Sequence, residues 1–170
     1  MQDQLYHEAI SAHGDEISRY LTGYEANSAK RQELLQEVHL ALWQSFSGFN
    51  GQCSLRTWIY RITNNVAVTY LRRKKRKTES AELSLDEAEL YFEEKSFSSH
   101  ADNQLDLQRV MLLIQSLAPV DRQLILLYLE DLDSSSIADV TGLSASNVAT
   151  KIHRIKKLLA GKINGGCEEL

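Results

Sequence analysis

Residues 55–77 carry the feature that most restricts how this chain can fold. Apolar side chains recur there at steps of three and four, the spacing of one face of an α-helix, and the stretch ends in six consecutive basic residues. We predict one long helix whose apolar face packs against other helices, with Leu55, Ile59, Ile62, Val66 and Tyr70 on that face. Because neighbouring like charges repel, the basic run at 72–77 favours an anionic partner.

A second set of side chains lies along the flank of the same predicted helix. Trp58, Arg61, Asn65 and Arg72 are spaced by three, four and seven residues, which displays an aromatic ring, an amide and two guanidinium groups together. Aromatic rings stack on bases, amides read base edges and arginines bind phosphates, so the set suits an opened nucleic-acid strand. The alternatives are that Trp58 belongs to the core and that the basic run is a solvated helix end complementing the helix dipole.

The composition indicates an all-α protein. The chain has 170 residues, of which 43% are hydrophobic, and only one proline and eight glycines. Its longest apolar run, residues 124–129, is far too short for a bilayer span, and no signal peptide is visible at the N-terminus, so we predict a cytoplasmic protein without membrane insertion. The two cysteines form no Cys-x-x-Cys pair and no histidine lies at metal-ligand spacing, which predicts neither a metal site nor a disulfide framework.

The net charge of −4 conceals an uneven distribution. Residues 79–106 hold nine acids against a single base, Lys95. Without this segment the chain keeps 18 of its 19 basic residues and 14 of its 23 acidic residues. The remainder is mildly basic, which is compatible with a nucleic-acid partner.

The order of these patterns predicts two small helical domains joined by an acidic linker. Helices over residues 5–21, 29–46 and 55–77 form a three-helix domain at 1–77, with Ser54 capping the third helix. The acidic linker occupies 78–104, because its composition cannot build a core. A second, four-helix domain occupies 105–164, and 165–170 is a tail.

The second domain ends in a predicted helix-turn-helix. A short helix over residues 136–141 precedes a turn at Gly142, and a helix capped by Ser144 follows over residues 145–159. The outward face of that last helix carries groups that can donate hydrogen bonds to bases and phosphates: Asn147, Thr150, Lys151, His153, Arg154 and Lys157. The alternative is a solvated basic helix.

No catalytic constellation can be assembled from this sequence. We find no glycine-rich phosphate loop after a predicted strand and no Ser/His/Asp or Cys/His signature. The paired acids Glu93 and Glu94 lie in the predicted linker, where they would not be desolvated. We therefore predict a non-enzyme without catalytic residues or cofactors.

Two long stretches resemble a known family. The stretch QELLQEVHLALW and the following SFSGFNGQCSLRTWIYRITNNVAVTYLRR resemble region two of the extracytoplasmic-function, or group four, sigma factors of bacterial RNA polymerase. The stretch LAPVDRQLILLYLEDLDSSSIADVTGLSASNVATKIHRIKKLL resembles their region four. The resemblance covers nearly the whole chain, and it implies a promoter-specificity subunit that binds core RNA polymerase and promoter DNA.

The resemblance also implies roles for single residues. The loop at 49–52, with Phe49 and Asn50, and the flank of Trp58, Arg61 and Asn65 would form the pocket for a flipped base of the minus-ten element. Residues 72–77, among them Arg72 and Arg73, would follow the DNA backbone. The minus-thirty-five element would be read by the outward face of the last helix, with Arg122 on a phosphate.

The same resemblance implies two protein partners. Core polymerase would dock on the second helix through Leu34, Gln36, Glu37 and Leu40, and a separate anti-sigma factor would regulate the chain. His39 stands where the family usually has an aromatic or aliphatic residue, and Ala149 stands where an arginine is common. The second departure implies an altered minus-thirty-five sequence.

Two other function classes are compatible with the same residues. A conventional helix-turn-helix regulator would use the first domain only to dimerise and would bind a palindrome. A helical adaptor would use the basic run to bind anionic lipid or RNA.

Overall fold

The computed structural model describes residues 1–80 and 102–165, and every regular element in those ranges is helical. The N-terminal half holds three α-helices: α1 (Gln2–Leu21), α2 (Ser28–Ser45) and α3 (Leu55–Ser80). A single 3-10 turn, Phe46–Gly48, follows α2. The all-α prediction is confirmed.

Four helices make up the C-terminal half. They are α4 (Asp102–Gln115), α5 (Pro119–Leu129), α6 (Ser134–Thr141) and α7 (Ala145–Gly165). Pro119 begins α5, where its missing N–H has no intrahelical partner to lose. None of the helices described is both long and apolar enough to cross a membrane.

Helix bounds follow the sequence closely, except around the acidic linker and at the end of the last helix, which is predicted to end at residue 159 but continues to Gly165. The structure extends α3 to Ser80 and begins α4 at Asp102, so both ends of the predicted linker at 78–104 are helical. The rest of that linker and residues 166–170 of the predicted tail lie outside the described residues.

Local hydrogen bonds explain where these helices begin and end. Ser54 Oγ accepts the N–H of Thr57 at 3.1 Å at the start of α3, and Ser144 Oγ accepts the N–H of Asn147 at 3.2 Å at the start of α7. Gly142 has a φ of 81°, a left-handed conformation that ends α6 and turns the chain into α7.

The core of each half is built from apolar helix faces, but the predicted face of α3 is only partly correct. Of its five residues Ile59 is buried, whereas Leu55, Ile62, Val66 and Tyr70 are half-buried. Tyr60 and Ala67 are buried as well, because α3 packs against helices of both halves.

In the N-terminal half, side chains of all three helices are buried together, among them Ile17, Leu21, Leu34, Val38, Leu42 and Ile59. In the C-terminal half, the central helix α5 is buried at positions 124–127, but Tyr128 and Leu129 are exposed. Four of the six residues in the longest apolar run, 124–129, are therefore buried, and the other two are exposed because α5 ends at the surface.

The two halves pack against each other and share one continuous core. Helix α3 lies along α6 and also contacts α5. Gly23, in the turn after α1, sits so close to Leu126 that a Cβ built on it would lie 2.5 Å from both Leu126 methyl carbons. The sequence predicted two domains without indicating this contact.

A buried carboxylate fixes the C-terminal part of α3 to the rest of its half. Glu25 is 1% exposed and accepts hydrogen bonds from the Lys74 ammonium at 2.8 Å, from the Asn27 N–H at 2.9 Å and from the Tyr70 hydroxyl. Burial alone raises the pKa of this carboxyl, but the three donors outweigh burial and lower it to about 2. The ionised form of Glu25 therefore stabilises the fold.

This ion pair predicts how stability depends on pH. Since the folded state lowers the pKa of Glu25, its contribution is fully present above the ordinary value of 4.5 and is lost as the pH falls toward 2. We expect Glu25→Gln to lower the free energy of unfolding at pH 7 by on the order of 3 kcal/mol and to flatten its decline below pH 5. Urea unfolding followed by circular dichroism at several pH values measures both effects. Glu8→Gln, at an exposed acid of α1, is the control, and an unchanged pH dependence in Glu25→Gln would contradict the assignment.

Candidate nucleic-acid interface

The structure brings three of the predicted minus-ten residues into one cluster. The rings of Phe49 and Trp58 have centroids 5.4 Å apart and are tilted by 58°. The Arg61 guanidinium carbon lies 5.9 Å from the Trp58 ring centroid on the same side of α3. Trp58 Nε1 donates a hydrogen bond to Ser45 Oγ at 3.1 Å, which fixes the indole against the end of α2. The cluster is an aromatic surface with a cation at its edge.

Neither ring of the cluster is fully buried. Phe49 and Trp58 are both half-buried, so each keeps a face or edge in contact with the core while part of it reaches solvent. The alternative interpretation of Trp58 as a core residue is thus correct for the part of the ring that packs against the core, but the rest of the ring is accessible.

Three other predicted minus-ten residues are exposed, two of them further along α3 and one in the loop before it. Asn65 lies two turns beyond Trp58 on α3, and Arg72 lies two turns further. Asn50 is exposed at the loop tip, where its Oδ1 accepts the N–H of Gln52 at 3.2 Å. Gly51 beside it has a φ of 78°, which favours glycine and bends the loop sharply.

The basic run at 72–77 is partly neutralised from within the protein. Arg73 donates to Glu37 at 2.7 Å, and Lys74 is held by the buried Glu25. Arg72 and Arg76 are exposed to solvent. The basic run was predicted to bind an anionic partner. At least two of its six charges instead form ion pairs with acidic residues of the same half.

The predicted helix-turn-helix forms as α6, the turn at Gly142 and α7. The Asp133 carboxylate caps α6 by accepting the N–H of Ser136 at 2.7 Å. Apolar residues of both helices, among them Ile137, Val148 and Ile152, are buried. This packing fixes the rotation of α7 and hence the face that it presents outward.

All six predicted reader residues of α7 lie on its accessible side. Five of them are exposed, and Lys151 is half-buried: the exposed five are Asn147, Thr150, His153, Arg154 and Lys157. Thr150 Oγ1 donates to the Ser146 carbonyl at 3.0 Å, and Arg154 lies 3.7 Å from the Asp121 carboxylate on α5. The surface offers both hydrogen-bonding groups and positive charge for a groove of DNA.

Arg122 is not placed like the other predicted DNA contacts. It is half-buried and donates a hydrogen bond to the carbonyl oxygen of Gln115, and burial lowers the pKa of its guanidinium. It lines a cleft of about 700 Å³ between the halves, together with Tyr24 of the N-terminal half. In this arrangement Arg122 faces the other half of the protein.

The predicted docking face on α2 needs one correction. Gln36, Glu37 and Leu40 are exposed, and Leu40 is 57% exposed despite being apolar. Leu34 is instead 1% exposed, because it lies on the core face of α2 and packs inside the N-terminal half. As it stands, Leu34 is not available to a partner.

The structure adds one residue to this face that sequence reasoning missed. Trp43 lies three residues after Leu40 and is 41% exposed, and its Nε1 donates to Asp3 Oδ1 at 2.8 Å. The sequence does contain a signal for Trp43, because a large apolar residue outside the core-facing stripe of an amphipathic helix often marks a binding surface. Leu40 and Trp43 together give α2 an exposed apolar patch.

Comparison with known proteins identifies both halves. A family model of sigma-70 region 2 matches residues 9–77, and a family model of sigma-70 region 4 matches residues 107–159. The two matches cover most of the chain, in the order predicted from its sequence. The chain belongs to the sigma-70 family. The prediction of an extracytoplasmic-function sigma factor is confirmed, and the two halves correspond to region 2 and region 4.

The relatives of this chain differ in sequence identity and in how much of the chain they match. The ECF RNA polymerase sigma-E factor of Haemophilus influenzae is 24% identical over 91% of this chain and 85% of its own length. The ECF RNA polymerase sigma factor SigG of Mycobacterium tuberculosis is 41% identical, but the match covers 27% of this chain and only 12% of SigG. Among solved structures, the sigma factor RpoE of Bartonella quintana, in complex with the anti-sigma factor NepR, shares the fold with a TM-score of 0.74. That match has 16% identity and covers 97% of this chain and 98% of the other.

The aromatic cluster of region 2 gives a direct test of the geometry. We expect Phe49→Ala, in a Trp43→Phe background that leaves Trp58 as the one tryptophan, to shift the Trp58 emission to longer wavelength. The free energy of unfolding should fall by about 1–2 kcal/mol, because a ring contact is lost. Fluorescence and urea unfolding measure the two effects, with Ser47→Ala as the control in the same loop. An unchanged spectrum would show that Phe49 does not cover Trp58.

Proposed function

We propose that this protein is a promoter-specificity subunit that binds core RNA polymerase and directs it to promoters. The proposal is carried by one observation: a single chain presents two surfaces suited to different states of DNA. Region 2 offers an aromatic cluster next to an exposed amide and arginines, and region 4 offers a helix-turn-helix with a basic outer face. The protein would position polymerase and would itself catalyse no reaction.

The region 2 surface suits a separated strand. Bases that have left the duplex expose faces for stacking and edges for hydrogen bonding. In the proposed complex, a base flipped from the minus-ten element stacks on the cluster of Phe49 and Trp58, while Asn65 reads its edge and Arg61 contacts the adjacent phosphate. Arg72 and Arg73 follow the backbone, and Asn50 contacts the strand from the loop.

The region 4 surface suits intact duplex DNA. In a helix-turn-helix the second helix enters the major groove, where each base pair presents a distinct pattern of donors and acceptors. We assign base contacts to Lys151 and Arg154, supported by the other exposed residues of the same face. Arg122 would reach a phosphate only after region 4 separates from region 2.

The partners follow from the same proposal. Core polymerase would dock on the α2 patch, where Leu40 and Trp43 supply apolar area and Gln36 and Glu37 supply a polar rim. Regulation by a separate anti-sigma factor is proposed because the structural relative was solved with one. A subunit of bacterial RNA polymerase acts in the cytoplasm, which is the location that we propose.

Transcription in vitro tests the proposed function. We expect the purified chain plus core polymerase to give transcripts from a discrete subset of a random promoter pool, and neither component alone to do so. A dimer in solution that protects a palindrome, with half-sites about 34 Å apart and without need of core polymerase, would instead establish a conventional regulator.

The division of labour between the two surfaces gives a second prediction. Arg154→Ala should weaken closed-complex formation by about 1–3 kcal/mol and change promoter choice, because it removes a base contact in duplex DNA. Asn65→Ala should leave closed-complex binding nearly intact and slow strand opening. Competition binding measures the first step, and reactivity of unpaired thymines measures the second. Arg109→Ala, at an exposed arginine of α4, is the control, and equal effects of both variants on both steps would contradict the assignment.

A further inference from the structure

The cleft between region 2 and region 4 has the size of a ligand-binding site. Its volume is about 700 Å³, and it is lined by the C-terminal half of α3, by the segment between α1 and α2, and by the start of α5. Pockets that hold small organic molecules in proteins typically measure about 300–1,000 Å³. Neither the aromatic cluster of region 2 nor the outer face of α7 lines the cleft, so the proposed base contacts do not account for it.

Apolar side chains form most of the wall of this cleft. Val68 and Leu71 line it from α3, Pro119 and Val120 line it from α5, and Tyr24 lines it from the segment before α2. Val120 is 45% exposed although it is apolar, so part of this wall is in contact with water. Covering exposed apolar surface is favourable in water, and the wall therefore suits a ligand with an apolar body.

The charged side chains of the cleft all have the same sign. They are Arg72, Lys74 and Lys75 of α3 and Arg122 of α5, and no acid is among the described residues of the wall. Both lysines have other interactions, and that of Lys74 is with the buried Glu25. The two arginines differ from them, because neither forms an ion pair with any residue in 1–80 or 102–165. Charge complementarity therefore favours an anionic ligand.

Arg122 is the group that most lacks an anionic partner. Its Nη2 donates to the Gln115 carbonyl, whereas its Nε is buried and has no hydrogen-bond partner among the described residues. Burial lowers the pKa of the guanidinium, because a charge withdrawn from water is costly when nothing opposite to it is near. An anion in the cleft would offset that cost. A carboxylate is suited to this role, since its two oxygens match the planar fork of a guanidinium.

A neutral donor follows Arg122 in the chain. Gln123 also lines the cleft, and its Oε1 accepts from Asn64 Nδ2 at 3.3 Å. The orientation of Asn64 is set by Tyr20, whose hydroxyl donates to Asn64 Oδ1 at 2.9 Å. Gln123 is thereby left with its Nε2 amide as the free donor. Arg122 and Gln123 both present donors to the cleft, which favours a ligand rich in acceptors.

From this combination we propose that the cleft binds a small amphiphilic organic anion, a molecule with an apolar body and one carboxylate group. The apolar body lies against Val68, Leu71 and Val120, and the carboxylate binds Arg122, with the exposed Arg72 as a second cation. The proposal concerns the isolated chain and does not depend on the proposed function.

Equilibrium dialysis of the purified full-length chain against naphthalene-2-carboxylate tests the site. Naphthalene-2-carboxamide has the same shape without the charge, and acetate has the charge without the apolar body. We expect naphthalene-2-carboxylate to bind with a Kd on the order of 0.1–1 mM, about 10-fold or more tightly than either analogue, whose affinities are measured by displacement. Equal binding of the carboxamide would overturn the proposal, because the charge would then contribute nothing. Equal binding of acetate would also overturn it, because the cleft would then be a general cationic surface.

Two variants test whether the ligand lies in the cleft. Arg122→Gln keeps a long polar side chain without the charge, so it should weaken binding of naphthalene-2-carboxylate about 10-fold, to the level of the carboxamide. Arg109→Gln is its matched control, because Arg109 is an exposed arginine of α4 that does not line the cleft. Val120→Trp fills the cleft from an exposed position and should also weaken binding. Its control is Leu112→Trp, at a residue that is 41% exposed and outside the cleft.

The two variants act on different parts of the ligand, so each is decisive by itself. Circular dichroism checks that each variant is folded, and if Arg122→Gln does not fold, Val120→Trp still tests the site. Wild-type affinity in either folded variant would overturn the proposal, since the carboxylate or the apolar body would then bind elsewhere. Dialysis contains no polymerase and no DNA. A failure to bind therefore leaves the proposed function standing, and a failure of promoter-specific transcription leaves the binding result standing.

Discussion

Burial of the Glu130 carboxylate is the constraint on which the arrangement of the two regions depends. A carboxylate removed from water is costly unless donors surround it, and here the side-chain donors, Arg19 and the more distant Tyr60 hydroxyl, come from region 2. Removing Arg19 leaves the Glu130 carboxylate buried without its ion-pair partner, whereas separating the regions returns the carboxylate to water. The interface is therefore suited to opening as a unit and resists partial loosening.

Helix α3 connects this interface to the proposed DNA surface. Ile59 and Ala67 are buried in the core, Trp58 and Arg61 form the cluster on its flank, and Asn65 faces solvent. The side chains that would read DNA thus project from a helix whose rotation is set by packing on other sides. The same helix meets α6, which explains how contact between the two regions affects residues that would otherwise be available to a strand.

Local patterns were sufficient to predict most of the fold. Apolar spacing identified α3, and short-range signals such as Ser54, Ser144 and Gly142 marked helix ends that the structure reproduces. These features depend on residues within one or two helical turns of each other, so a single sequence contains them. The family resemblance then added the order of the two regions.

The features that sequence reasoning missed are long-range. Arg19 and Glu130 are 111 residues apart, and Asn64 and Gln123 are 59 apart, so no periodicity connects them. Leu34 lies on the core face of α2 with Val38 and Leu42, so the docking role that the family resemblance implies for it disagrees with the geometry of the helix. Trp43 was missed for a different reason. Its exposure depends on how α1 packs beside α2, where Asp3 accepts its hydrogen bond, and this packing is not visible in the sequence.

Chain length makes both a closed and an open arrangement possible. Residues 81–101 connect α3 to α4, and 21 residues span at most about 70–75 Å when fully extended. Together with the dimensions of the two regions, that reach is sufficient for surfaces about 80 Å apart on a promoter. A much shorter connection would have confined region 4 near region 2, and the contacts between the two regions would then be permanent. The length of this connection is thus what allows the contacts of Glu130 and Gly23 to be broken without breaking the chain's path between the two regions.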